Sequence, residues 1–211
     1  MSPLTAAARI SPDVAEGPGA RDPRLAVSIG LWVFMAVAGS LFSLFLMAYV
    51  MRMQATDWSP IALPRALWLS TALLLAASAA LQRASTAAHA RQPRSARWLL
   101  LAGGLGALLF LGVQLLAWQM LLDARVALAG NPAASFFYLL TALHGLHVLG
   151  GLVAWGRTVQ ATRRPADICD QAWRITLCAR YWHFLLGVWG VLFATLGWLT
   201  PEVVAFICGT N

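Results

Sequence analysis

The sequence predicts an all-α protein: a polytopic transmembrane bundle of five helices, N-terminus inside and C-terminus outside. Three observations lead there. Of 211 residues, 60% are hydrophobic and only 11% are charged, whereas a water-soluble domain carries about a quarter charged residues. Such a chain cannot cover a soluble surface, so lipid must do it. Several uncharged runs reach the roughly 20 residues a helix needs to cross a bilayer, and five spans are read from the apolar pattern. The arginines fall on alternate sides of those runs, twelve against three, and positive loops stay in the cytoplasm.

The elements follow in order. Residues 1–24 form a polar arm rich in Pro, Gly, Asp and Arg, without apolar periodicity, expected to be disordered and cytoplasmic. Residues 25–203 form the five-helix domain, and 204–211 a periplasmic tail. Span one is about Leu25–Val50, and its length speaks against a cleaved signal peptide. Span two, Arg65–Ala88, has Pro64 at its entrance, where a helix tolerates proline. Span three is Trp98–Leu122, span four Ala133–Gly156, and span five Ile175–Thr200 with Pro201 as its stop. Backbone groups in lipid must be satisfied within the segment, so these runs are helices. Small residues mark expected close approaches: Gly103, Gly104, Gly106 and Ala107 in span three, and Gly145, Gly150 and Gly151 in span four.

The inner side is assigned Arg9, Arg21 and Arg24, then Arg83, Arg91, Arg94 and Arg97, then Arg157, Arg163, Arg164, Arg174 and Arg180. The outer side holds Arg52, Arg65 and Arg125. A net charge of +7 can signal nucleic acid, but arginines in short loops between apolar runs are explained by topology, and no nucleic-acid partner is expected. The location expected is a bacterial inner membrane. Cys169, Cys178 and Cys208 form no CxxC or Cys/His cluster, so neither a disulfide framework nor a zinc site is expected.

All eight acidic residues lie outside the spans. Intramembrane carboxylates usually mark proton or ion pathways, so a pump or ion-coupled transporter acting through this chain alone is disfavoured. The polar residues inside the spans include Gln114, Thr141, His144, His147 and His183; His89 falls in the arginine-rich loop and is expected to be solvated. His147 and His183 come to about 15 and 12 Å from the cytoplasmic ends of their spans, a depth match that permits a bis-histidine haem. The bland alternative is hydrogen bonding between helices, worth about 1 kcal/mol each. His144 and His147 lack an accompanying carboxylate or cysteine, which weakens a metal site. From the residues alone, a haem b electron carrier, a small transporter and an accessory membrane subunit all stay open.

Four segments then carry a resemblance. "FFYLLTALHGLHVLGGL" resembles the FYxLTGxHGLHVxxG segment of haem-copper oxidase subunit III (cytochrome c oxidase subunit 3). "YWHFLLGVWGVLF" resembles that family's YWHFVDxVWxxLF. "LPRALWLSTALLLAAS" and "LGALLFLGVQLLAWQMLL" are similar to its second and third matching helices. The resemblance runs in order from about Leu25 to Trp198 and fits a divergent five-helix bacterial form. Three acidic positions of the family are apolar here: Ala38, Ala117 and Leu186.

The resemblance implies an accessory, non-redox subunit that packs on catalytic subunit I, within a complex that also holds subunit II. It implies no catalytic centre, metal or cofactor in this chain, with haems and copper in the partners. It also implies bound phospholipid and support of sustained oxygen reduction and proton uptake in aerobic respiration. The residues it singles out for structural or lipid-contact roles are His144, His147, Tyr181, Trp182, His183, Trp68, Gln114, Arg157 and Arg180. The runner-up is an accessory subunit of a nitric oxide reductase of the same superfamily.

Overall fold

The computed structural model describes residues 23–199 except 54, 57, 60, 62 and 125–130. The N-terminal arm before residue 23, Arg125, Pro201 and the 204–211 tail lie outside the described residues. The described chain is helical: α1 Pro23–Arg52, α2 Ala66–His89, α3 Pro93–Asp123, α4 Pro132–Ala161, α5 Pro165–Asp170 and α6 Ala172–Trp198. Five of these are long and apolar enough to cross a membrane, and they coincide with the five expected spans.

The helices outrun the spans at the arginine-rich end. α3 starts at Pro93, five residues before Trp98, and α4 runs on to Ala161, past Gly156. α6 starts at Ala172, and the short α5 was not expected at all. The reason is that hydropathy reports the thickness of lipid, not the end of hydrogen bonding. Helix continues into the polar zone until a proline or a turn stops it. Pro93, Pro132 and Pro165 each sit in the first turn, where the missing N–H costs nothing. Arg83, Arg94 and Arg97 are therefore helical. The true link is Ala90–Gln92, closed by Gln92 N–H donating to Ala87 O at 2.9 Å, with Arg91 at φ 54° in the left-handed region.

Four helices make a ring. α2 packs on α3, α3 on α4, α4 on α6 and α6 back on α2, while α1 lies across α4 and α6. Met35, Ala38, Phe42 and Tyr49 form the buried seam of α1, at helical spacing. Phe110, Phe137, Trp182, Trp189 and Leu185 fill the ring's centre, each nearly inaccessible. The expected small-residue contacts are met in part. Gly103 and Gly106 admit Leu81 and Ala77 of α2, Gly104 admits the Trp155 indole, and Gly151 admits Tyr181 and Trp182. Gly150 meets nothing within 4 Å, and Gly145 only Leu111 at 3.9 Å; their small size is not used for packing within this chain.

Candidate functional site

The bundle's polar residues fall into two groups, each placed by helix register. His144 lies in the middle of the ring. It is 1% exposed and is walled by rings: Phe110 of α3 at 5.8 Å, Trp189 of α6 at 5.2 Å and Phe42 of α1 at 6.3 Å between centroids. Neither ring nitrogen of His144 has a hydrogen-bond partner. The structure thus departs from the expectation of interhelical hydrogen bonding at this residue: the imidazole is held by aromatic contacts instead.

Gln114, 4% exposed, likewise has both amide atoms unpartnered. It sits one turn from Phe110, which touches His144, and one turn from Trp118, whose Nε1–H donates to Thr141 Oγ1 at 3.1 Å. Gln114 and His144 therefore occupy the same level of the α3/α4 contact. The buried Trp182 Nε1–H also has no hydrogen-bond partner among the described residues.

His147 faces α1, with Phe42 at 5.3 Å and Phe34 at 5.9 Å. Its Nδ1 contacts Leu143 O at 2.8 Å. A carbonyl can only accept, so Nδ1 carries the proton. Tyr181 O–H reaches the backbone carbonyl of His147 at 3.0 Å and ties α6 to α4. His183 faces α2 instead: Nδ1 pairs with Ser78 Oγ, and Nε2 with Gln82 Oε1 at 3.1 Å. The amide oxygen accepts, so Nε2 donates and Nδ1 takes the serine proton. His147 and His183 thus turn to different neighbours. His89, expected to be solvated, ends α2 and contacts Thr176 Oγ1 of α6 at 3.0 Å, beside the Ser85–Thr176 contact at 2.8 Å. Sequence reasoning missed this α2/α6 polar seam because Ser, Thr and Gln spacing on two distant segments shows no pairing until the helices are aligned.

A cleft of about 460 Å³ opens between α1, α4 and α6 at the arginine-rich end. Its walls include Leu31 and Phe34 of α1, Val153 of α4 and Leu177 of α6, and its mouth carries Arg157 and Arg174. Arg174 lies over the Trp173 ring at 4.7 Å and Arg24 at 5.9 Å. The arrangement is an apolar slot under a cationic rim. Of the two arginines singled out from sequence, Arg157 lines this cleft; Arg180 is exposed on α6 and does not, and Arg174, not singled out, takes its place. Trp68 is exposed near the start of α2, packed edge-on to Phe193 at 5.0 Å and against Trp198 at 6.3 Å.

Two of the three positions acidic in the resembled family are deep in packing: Ala38 is buried on α1 and Ala117 on α3, while Leu186 is partly buried. A carboxylate at Ala38 or Ala117 would need a partner in the core. Among the described residues no group of three or more His, Cys, Asp or Glu could hold a metal ion.

The chain is similar to known proteins. The probable cytochrome c oxidase subunit 3 of Nocardia farcinica is 32% identical over 176 residues, covering 81% of this chain and 86% of the relative. The cytochrome c oxidase subunit 3 of Thermostichus vulcanus is 29% identical over 178 residues, covering 82% and 87%. The corresponding protein of Synechocystis is 36% identical over 86 residues, 39% of this chain and 37% of its own. The family profile described as cytochrome c oxidase subunit III matches residues 27–200, which takes in α2, α3, α4 and α6 whole, α1 but for its first four residues, and every histidine, and on that coverage the chain belongs to the cytochrome c oxidase subunit III family.

Proposed function

We propose that this chain is the accessory, non-redox subunit of a haem-copper terminal oxidase in a bacterial inner membrane, packing on catalytic subunit I and holding anionic phospholipid in the α1/α4/α6 cleft. The observation that carries the lipid part is the cleft itself: apolar walls for acyl chains beneath Arg157 and Arg174. Guanidinium groups near the membrane surface attract anionic headgroups by about 1 kcal/mol each. Support for sustained oxygen reduction and proton uptake belongs to the same reading. The placement of His147 toward α1 and of His183 toward α2 favours structural roles over a shared haem, and the electrons are assigned to the partner subunits.

Native mass spectrometry of the complex in mild detergent tests the lipid assignment. Phospholipid is expected to stay with the wild-type subunit. Arg157→Ala with Arg174→Ala should weaken retention of an anionic lipid by roughly 2 kcal/mol and leave a neutral lipid little changed. Equal loss of both lipids, or of neither, would remove the cleft from the proposal.

Orientation is tested separately. The arginine split supports a reading with Ser95 in the cytoplasm and Thr210 outside. With the native Cys169, Cys178 and Cys208 replaced by Ser, a membrane-impermeant thiol reagent applied to whole cells should label a cysteine at position 210 and miss one at position 95. The reverse pattern would invert the bundle.

A further inference from the structure

We propose that the outer face of the α2/α6 pair is the surface on which a transmembrane helix of the catalytic subunit docks, and that this helix presents a hydrogen-bond acceptor to Gln82. The inference rests on the oxidase-subunit reading and adds the face to it.

The argument begins with a contrast among exposed surfaces. α1 turns outward Trp32, Val33, Val37, Leu41 and Leu44. α3 turns outward Leu105, Leu108, Leu115 and Leu116. Such aliphatic faces suit acyl chains. The α2/α6 face is different in kind. From Ala76 to His89 on α2, and from Ala172 to Gly190 on α6, every exposed residue is small, polar or charged. Lipid tails gain nothing from alanine, glycine and carboxamide, whereas helix association in membranes uses small residues for close approach and polar side chains as glue.

Register puts these residues on one surface. The contacts Thr71–Trp189, Ser78–His183 and Ser85–Thr176 align α2 and α6 antiparallel. His183, Gly187 and Gly190 follow each other at spacings of four and three on α6, one face of a helix. Ala79 lies one turn from Gln82 on α2. A Cβ added at Gly187 or Gly190 would meet nothing within 4 Å. The glycines are therefore not spent on packing inside this chain, and they leave a shallow groove on its outside.

The polar part sets the partner's chemistry. Gln82 Oε1 accepts from His183 Nε2, which itself holds Ser78. The carboxamide NH2 of Gln82 is left with two outward donors. Gln82 lies about 10 Å from the end of α2, and His183 about 16 Å from the start of α6, at 1.5 Å per residue. An amide donor at that depth facing hydrocarbon would forfeit its hydrogen bonds. A hydroxyl, carbonyl or carboxylate on a neighbouring helix satisfies it. Toward the same end of this face stand exposed Arg83 and Arg180, so the partner's segment there is expected to be acidic rather than basic.

The test uses the native oxidase complex, recovered in mild detergent through an affinity tag on this chain, with haem absorbance per tagged chain as the readout. A Cβ at either position meets nothing of this chain within 4 Å, so Gly187→Leu and Gly190→Leu together add bulk to the outer face. They are expected to cut haem recovery at least tenfold at equal membrane levels of the tagged chain. Gly112→Leu, the same change at an exposed α3 glycine that also meets nothing within 4 Å, is the matched control and should recover haem like the wild type. Gln82→Leu should reduce recovery severalfold under increasing detergent, and so should Gln82→Glu, which lacks the NH2 donors; wild-type recovery by both would overturn the hydrogen bond to the partner. Full haem recovery by the double leucine variant would overturn the α2/α6 face while leaving the oxidase reading intact. A wild-type chain that recovers no haem subunit would overturn that reading, and this inference with it.

Discussion

Replacing Trp189 with Ala is expected to destabilise the bundle by about 3–5 kcal/mol, the range for removing a buried large aromatic. Trp189 is 1% exposed and joins three helices at once. Its ring packs against Phe110 of α3 at 5.3 Å and His144 of α4 at 5.2 Å. Its Nε1–H donates to Thr71 Oγ1 of α2 at 2.9 Å. Truncation removes the contacts and leaves a cavity that rigid helices cannot close. Trp189→Phe keeps most of the ring and drops the hydrogen bond, so a loss nearer 1 kcal/mol is expected. Unfolding of the full-length protein in mixed micelles, followed by far-UV circular dichroism, measures both. A Trp189→Ala variant within 1 kcal/mol of the wild type would mean that α2, α3, α4 and α6 do not meet at this residue.

The second large effect is a reversal of sign between two glycines on one helix. Gly→Ala in an unhindered helix interior is stabilising by about 0.5–1 kcal/mol. Gly112 meets nothing within 4 Å, so Gly112→Ala should show that gain. At Gly104 the new methyl would run into the fused ring of Trp155. That indole cannot step aside freely, because its Nε1–H donates to Leu100 O at 2.8 Å. Gly104→Ala is expected to cost about 1–3 kcal/mol, as overpacking does. Adding Trp155→Leu to Gly104→Ala should recover part of the loss, and the shortfall from additivity is the readout. Gly104→Ala behaving like Gly112→Ala would show that α3 and α4 stand further apart than described.

Much of this was legible in the residues. Long uncharged runs specify membrane helices because lipid leaves a backbone no other way to satisfy its N–H and C=O groups. The same constraint made the five spans readable and in the right order. The arginine-rich ends were harder. Pro93 and Pro165 are visible in the sequence, but a proline marks a helix start only where helix follows, and hydropathy falls silent in the polar zone. Hence α5 and the extensions of α3 and α4 went unanticipated. Gly104 and Gly150 look alike in sequence, yet one is filled by Trp155 and the other is open.

The histidines divide the two sources of information most plainly. Motif spacing placed His144, His147 and His183 in spanning helices and tied "HGLHV" and "YWHF" to a family. Their partners were beyond it. His144 and His147 are three residues apart, but about 60° of helix rotation between them sends one to the ring's aromatic centre and the other to α1. His183 takes its bonds from Ser78 and Gln82, about a hundred residues away in sequence. The sequence alone determined that this is a five-helix membrane protein of the subunit III family, because the solvent acts on each segment separately and leaves its mark residue by residue. Only the tertiary structure decided which imidazole is bonded and which is merely enclosed, which arginines rim a cleft, and which glycines are occupied. Those depend on the rotation and register of helices against one another, and that is settled by packing between segments that carry no local record of their neighbours.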